Sequence, residues 1–469
     1  MRFNPTVKIL LLICFAFRSI PAAAQELPVS DSNGQEQKLS QPSDVEKQLR
    51  QYDRQIFLDL VKLAEFNARF QQEVNHYAGW RKYLYPIAQE AGYACFLGFN
   101  LTDLSQRGRG WNNPGRISPR SSKRSLSAAT VGGALGATSS IFELALNGVE
   151  SIKADRKGFS TQKSVAFVQN TVKQVDEMLE RRHALMLESN ITSSRAELLE
   201  LKEQLLKYER DRLVFEFKRW SAHSRAYNCY KNTFYIINAT VNMSRFSAVQ
   251  LGFKSFTQPR CTGATGPILL SAACLASVGP AASTLAGNWM QRHQEKSLAK
   301  KLPARTFLSD EEAKQKFDRL TQLLEIDETN QKHVQLASEL IRLREEKLGL
   351  DRLIFHEEKT IVRFRRVAGQ QVITAPLISS LGASSATIGT VGYFAYRQKP
   401  VVSNKLGIAG DTAVIAAEAV ALVATPTAAI MGLKYENNLR KKGEHPDQLL
   451  EKRIKDLKTL EDLVSNAWR

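Results

Sequence analysis

GATGPILLSAACLASVGPAASTLAGNWM, residues 263–290, is the stretch on which the fold turns. It carries no charged side chain and exceeds the roughly 20 residues that a helix needs to cross a bilayer core. Its bulk comes from Gly, Ala, Ser and Thr rather than Leu. A helix that is apolar all round is buried in a large core or lies in lipid. Small residues allow close helix contact in either setting, as at Gly132-x-x-x-Gly136.

Five other stretches share this character: 83–101, 126–149, 230–253, 371–396 and 407–433. The fourth is also uncharged, whereas the others contain Glu90, Glu143, Lys231 with Arg245, and Asp411 with Glu418. The six form three pairs, each predicting a helical hairpin. The loops within the pairs share one sign. Residues 102–125 hold Arg107, Arg109, Arg116, Arg120, Lys123 and Arg124 against the single acid Asp103. Residues 254–262 hold Lys254 and Arg260, and residues 397–406 hold Arg397, Lys399 and Lys405, with no acid in either. Basic loops on one side of hairpins that enter from the other side are what the positive-inside rule requires. The stretch 106–125, with its Pro and Ser residues, reads as a flexible basic loop whose cations suit anionic lipid.

Charged helical arms flank the hairpins, and a short motif recurs in them. Asp53-Arg54-Gln55-Ile56-Phe57 returns as Asp211-Arg212-Leu213-Val214-Phe215 and as Asp351-Arg352-Leu353-Ile354-Phe355. Spacings of 158 and 140 residues fit a domain-sized repeat. The Asp-Arg pairs are expected to bridge helices, with Phe57, Phe215 and Phe355 as packing anchors. Leu199, Leu206, Leu213 and Trp220 keep seven-residue spacing, a helix–helix seam. A helix is predicted over 161–188, and capping boxes at Ser194 to Glu197 and Ser309 to Glu312 start the following arms. No sustained two-residue alternation occurs, so almost no sheet is expected. The predicted fold is all-α: three divergent modules over 44–187, 195–330 and 331–469, each a small-residue hairpin with coiled-coil-like antiparallel arms.

The N-terminus predicts a cleaved secretory signal peptide over 1–24, with a basic start, the apolar run from Ile9 to Phe17 and Ala22-Ala23-Ala24. A polar, disordered lead-in is expected over 25–43. The formal net charge of +18 favours anionic partners. For an exported chain these are lipid headgroups or wall polymers rather than nucleic acid. Cys95, Cys229, Cys261 and Cys274 show no metal-ligand spacing. Cys95 and Cys274, in apolar stretches, are expected to be buried free thiols.

No enzyme signature appears, and no cofactor or metal is expected. The seven histidines lie in charged helical surroundings without HxxxH spacing. The Gly-rich sequences at Gly132 and Gly263 lack a phosphate-loop lysine. Asp411 and Glu418 share a helix face, and with Glu143 they are the acids that would matter inside a membrane. Asp411 also suits a helix N-cap. Asn100, Asn190, Asn238 and Asn242 lie in Asn-x-Ser/Thr sites, of which the last two fall in an apolar stretch. The expected role is a non-enzymatic, exported, membrane-associated envelope protein whose arms bind or organise partners. A pore-forming or transport protein using the hairpins, and a soluble periplasmic scaffold with the apolar helices as its core, stand as alternatives.

Overall fold

The computed structural model describes residues 44–74, 81–188, 193–304, 308–326 and 377–466. The expected leader and lead-in, Asn190 and the third motif copy with Phe355 lie outside the described residues. Every regular element among the described residues is helical. They are α1 (Asp44–Val74), α2 (Arg81–Arg109), α3 (Pro119–Arg156), α4 (Thr161–Glu188), α5 (Ser193–Lys254), α6 (Thr262–Lys301), α7 (Asp310–Ile326), α8 (377–395), α9 (Pro400–Lys442) and α10 (Pro446–Asn466). Two 3-10 turns, Pro114–Arg116 and Pro259–Cys261, lie in the connections before α3 and α6.

The described part of the chain packs in two regions with opposite rules. In the arm region, large side chains meet in a core built from α1, α4, the first half of α5, the end of α6, α7 and α10. Ile56, Phe57, Leu60, Leu205, Leu206, Leu213 and Leu320 are fully buried there. The core draws no residue from the described apolar stretches.

In the hairpin region, α2 packs on α3 and α9, α3 on α5, and α5 on α6. Here most of the buried residues are small: Ala129, Gly132, Gly133, Gly136, Ser140, Ala239, Ala272, Ala273, Gly279, Ser283, Ala417 and Ala421, with Val241 and Val249 as larger apolar exceptions. The large apolar side chains point outward, with Val278, Leu285, Phe394 and Val423 between 60% and 69% exposed. Small inside and large outside is the packing of helices in lipid, where close van der Waals contact replaces the hydrophobic effect. Gly132 shows how close the contact is: a Cβ placed there would lie 2.7 Å from the Gly92 carbonyl oxygen.

Arms and hairpins are not separate helices. α5 runs unbroken for 62 residues, about 93 Å, from the arm core to the far end of the hairpins. Helix ends follow local chemistry. Ser309 N donates to Glu312 Oε2 (2.8 Å) and Glu312 N to Ser309 Oγ (3.2 Å), the reciprocal capping box at the start of α7. Its Ser309 hydrogen bonds hold the Glu312 carboxyl below the ordinary glutamate value. α9 ends at Gly443 in the left-handed region (φ 69°), with the Glu444 N–H closing onto the Leu439 carbonyl.

Two sequence expectations give way here. The basic connection is much shorter than 102–125: α2 continues to Arg109 and α3 begins at Pro119. Proline suits the first helical position because its fixed φ is helical and its missing N–H has no partner to lose. Asn113 Oδ1, accepting from Gly115 N at 3.2 Å, fixes the turn between them. Asp411 is not an N-cap but lies well inside α9, which starts at Pro400. Gly410 does not break that helix, since one interior glycine costs only about 1 kcal/mol relative to alanine, and its bare Cα faces Ser385 of α8 at close range.

Candidate functional site

α2 organises the hairpin interior. Tyr85, Gln89, Tyr93, Phe96, Asn100, Asp103 and Arg107 follow one another at steps of three or four residues, which places them on one face. Their span is about 33 Å, close to a bilayer core. Nearest the arms, Tyr85 Oη accepts from Asn238 Nδ2 (2.9 Å). Buried Glu143 lies near enough for its charge to act on the Tyr85 hydroxyl. Gln89 Nε2 donates to the Gly136 carbonyl (3.1 Å) and to Ser139 Oγ (2.9 Å). Arg245 of α5 stands over the rings of Tyr93 and Phe96, 5.9 Å from each centroid. Asn100 Nδ2 donates to both oxygens of buried Glu418, at 2.9 and 3.0 Å. Arg107 Nε pairs with Asp103 (2.7 Å) and with Asp411 (3.0 Å).

The two α9 acids therefore meet different groups on α2, one an arginine and the other an amide. The charge of Arg245 also acts on Glu418. Three of the Asn-x-Ser/Thr asparagines are engaged in helix packing: Asn100 and Asn238 by these bonds, and Asn242 against Gly136.

The three hairpin tips converge at one end. Asn404 Nδ2 of α9 donates to the Arg107 and Gly110 carbonyls (3.0 and 2.9 Å). Lys405 lies over the Trp111 ring at 5.1 Å, and Lys123 of α3 lies over Phe256 at 5.2 Å. Gly263 at the start of α6 faces Tyr393 and Phe394 of α8. The basic residues of all three loops thus share one end of the bundle. Arg109, Arg116, Arg120, Lys123, Arg124, Lys254, Arg260, Arg397, Lys399 and Lys405 are exposed there. Arg107 is the exception among the predicted lipid contacts, since its guanidinium is held by two carboxylates.

The motif copies behave unequally. Asp53 accepts from Arg182 Nε at 2.6 Å, a bridge from α1 to α4, and Arg54 Nη2 donates to the Ser465 carbonyl of α10. Arg212 pairs with Glu209 on its own helix, and Asp211 with its neighbour Arg210. Phe57 is fully buried, but Phe215 is 64% exposed and is no anchor. Val214 and Phe217 occupy the inward positions instead, because α5 presents a different face to its neighbours.

Sequence reasoning missed the ion network at the centre of the arms. Fully buried Arg182 also donates to Glu203 (3.0 Å) and to the Leu199 carbonyl (3.0 Å). Burial would raise the Glu203 carboxyl, but the Lys207 bond and the charges of Lys207, Arg182 and His183 outweigh it and hold it below the usual value. Arg210 similarly joins Asp176 and the Pro303 carbonyl, and Arg453 grips both oxygens of Glu216.

No family model matches this chain, and no curated protein or solved structure matches it. Among the described residues, three helical stretches are long and apolar enough to cross a membrane, within Pro119–Glu188, Thr262–Lys301 and Pro400–Ala424. Among the described residues no cluster of His, Cys, Asp or Glu is placed to hold a metal. All four cysteines there are free thiols. Cys274 is exposed rather than buried, because it lies on the outward face of α6, and Cys95 is half-buried.

Proposed function

We propose that the hairpins embed this protein in a bilayer, with the basic end at the cytoplasmic face and the arms in the extracytoplasmic space, and that its role is non-enzymatic: the arms organise or bind envelope partners. The inverted packing of the hairpin region carries this reading. In a soluble scaffold the apolar helices would supply the core. Here the core belongs to the charged arms, and the apolar helices expose their largest side chains. An exposed apolar belt of this extent marks an interaction surface. Its placement between an ion-rich arm region and a cationic tip fits lipid. A leader that directs export would set the orientation, and the clustered cations agree with it.

A transport-type role is the second reading, favoured by the polar face of α2, which brings Asp411 and Glu418 into the bundle interior. Ion flux through the purified protein in liposomes, absent from protein-free vesicles, would move the assignment to that role.

Cysteine accessibility tests the main reading. In single-cysteine variants, Cys274 is exposed on the protein yet lies within the apolar window of α6, whereas Cys261 lies at the basic tip. A membrane-impermeant maleimide should leave Cys274 unlabelled in intact membranes and label it after denaturation. Cys261 should react only when the cytoplasmic face is opened. Rapid labelling of Cys274 without denaturation would refute the embedding.

A further inference from the structure

We infer that the basic end contains a discrete site for the phosphate of an anionic phospholipid, formed by Arg120, Lys123 and Arg124 of α3 against Phe253 of α5. The inference rests on the membrane placement proposed above and names the ligand class at that end.

The three cations line a shallow cavity of about 390 Å³ together with Pro119, Ser127 and Phe253. No acid lines it. Their positions are the least favourable a helix offers to cations. Arg120, Lys123 and Arg124 occupy the first turn and a half of α3, where the helix dipole is positive. That first turn contains no acid, and Ser118 provides no side-chain cap. The spacings of three and four residues add like-charge repulsion along one face. Among the buried and half-buried arginines elsewhere, Arg107, Arg182, Arg210 and Arg453 each pair with a carboxylate. Arg120, Lys123 and Arg124 meet none within ion-pair distance among the described residues. A bound anion supplies the missing charge.

The surroundings identify the anion as a lipid headgroup. Phe253 forms one wall of the cavity and Phe256 lies under Lys123, so apolar rings that can enter the acyl boundary sit beside the cations, as in amphipathic segments at membrane interfaces. Farther along α3 from the cavity, Val131, Ile141 and Phe142 are exposed, giving an acyl chain an apolar surface to follow. Free phosphate would use the cations but not the rings or this surface.

The test is lipid retention by the full-length protein purified in mild detergent, measured by native mass spectrometry with phosphatidylglycerol or phosphatidylcholine added. Wild type should retain phosphatidylglycerol in preference to phosphatidylcholine. Replacing Arg120, Lys123 and Arg124 by Gln should weaken that retention about a hundredfold, each cation near a lipid surface contributing roughly fivefold. The equal-charge control Arg292→Gln, Lys296→Gln, Lys300→Gln, at exposed positions on the arm end of α6, should retain wild-type binding. Removing repelling charges should not lower the thermal midpoint, so lost binding is not lost fold. Equal losses in both triple variants, or unchanged retention in the first, would overturn the site. Full competition by inorganic phosphate with no preference between the two lipids would also overturn it, by making the ligand free phosphate. Cys274 labelling in membranes does not depend on these cations, so failure of the site and failure of the embedding are read separately.

Discussion

Gly132→Ala adds one methyl group at the closest approach of α2 and α3. The new Cβ would stand 2.7 Å from the Gly92 carbonyl oxygen and 3.1 Å from both Cys95 Cβ and Phe96 Cδ2. The first neighbour is backbone and cannot rotate away, so the helices must separate. Overpacking of this kind costs about 1–3 kcal/mol. Alanine in a helix interior recovers about 1 kcal/mol relative to glycine. The net effect should lie between neutral and about 2 kcal/mol destabilising. Gly98 on the same helix α2 has nothing within 4 Å of its Cβ position, so Gly98→Ala should stabilise by up to about 1 kcal/mol. Gly136→Ala should fall between them, since its nearest contacts are the side-chain amide of Asn242, which can shift. The assay is unfolding of the purified protein in detergent by titrated SDS, followed by circular dichroism and gel filtration. If Gly132→Ala stabilises as much as Gly98→Ala, the close approach is wrong and so is the inward-facing small-residue packing built on it.

Arg182→Met should cost about 3–5 kcal/mol in chemical unfolding, because Asp53 and Glu203 lose their buried cation. Arg319→Ala, which breaks an exposed bridge to Glu197, should cost less than about 1 kcal/mol in the same assay. Because the folded Glu203 carboxyl is depressed, its contribution is present above the unfolded glutamate pKa and is lost as pH falls through the lower folded value. Glu203→Gln should therefore flatten stability across that acidic window, and an unchanged acid limb would refute the assignment. Asn100→Leu leaves buried Glu418 without its amide donor and should cost about 1–3 kcal/mol, with recovery on adding Glu418→Leu.

Helix content was legible because apolar periodicity and capping chemistry are local. The 161–188 helix and the Ser309 box stand where the sequence puts them. The burial of Phe57 against the exposure of Phe215 was not legible, because identical local motifs do not reveal which face of a helix meets its neighbours. The partner of Arg182 was hidden for a related reason: Asp53 lies 129 residues away, and arms rich in charge offer many equivalent pairings. The α2 face was within reach, since Tyr85 through Arg107 repeat at helical spacing. Residues 83–101 contain the single acid Glu90, and composition alone does not show that the segment's polarity is concentrated on one side.

The long helix α5 has a mechanical consequence. From Ser193 to Leu251 it contains neither proline nor glycine, so no hinge interrupts it between the arm core and the basic tips. It acts as a lever with its fulcrum near Trp220, where the arm core ends. About 34 residues, roughly 50 Å, lie beyond that point. A partner that tilted the arms by 10° would swing the far tip by about 9 Å on this geometry. An event at the arms would thus move the basic tip with no change in the fold of either part.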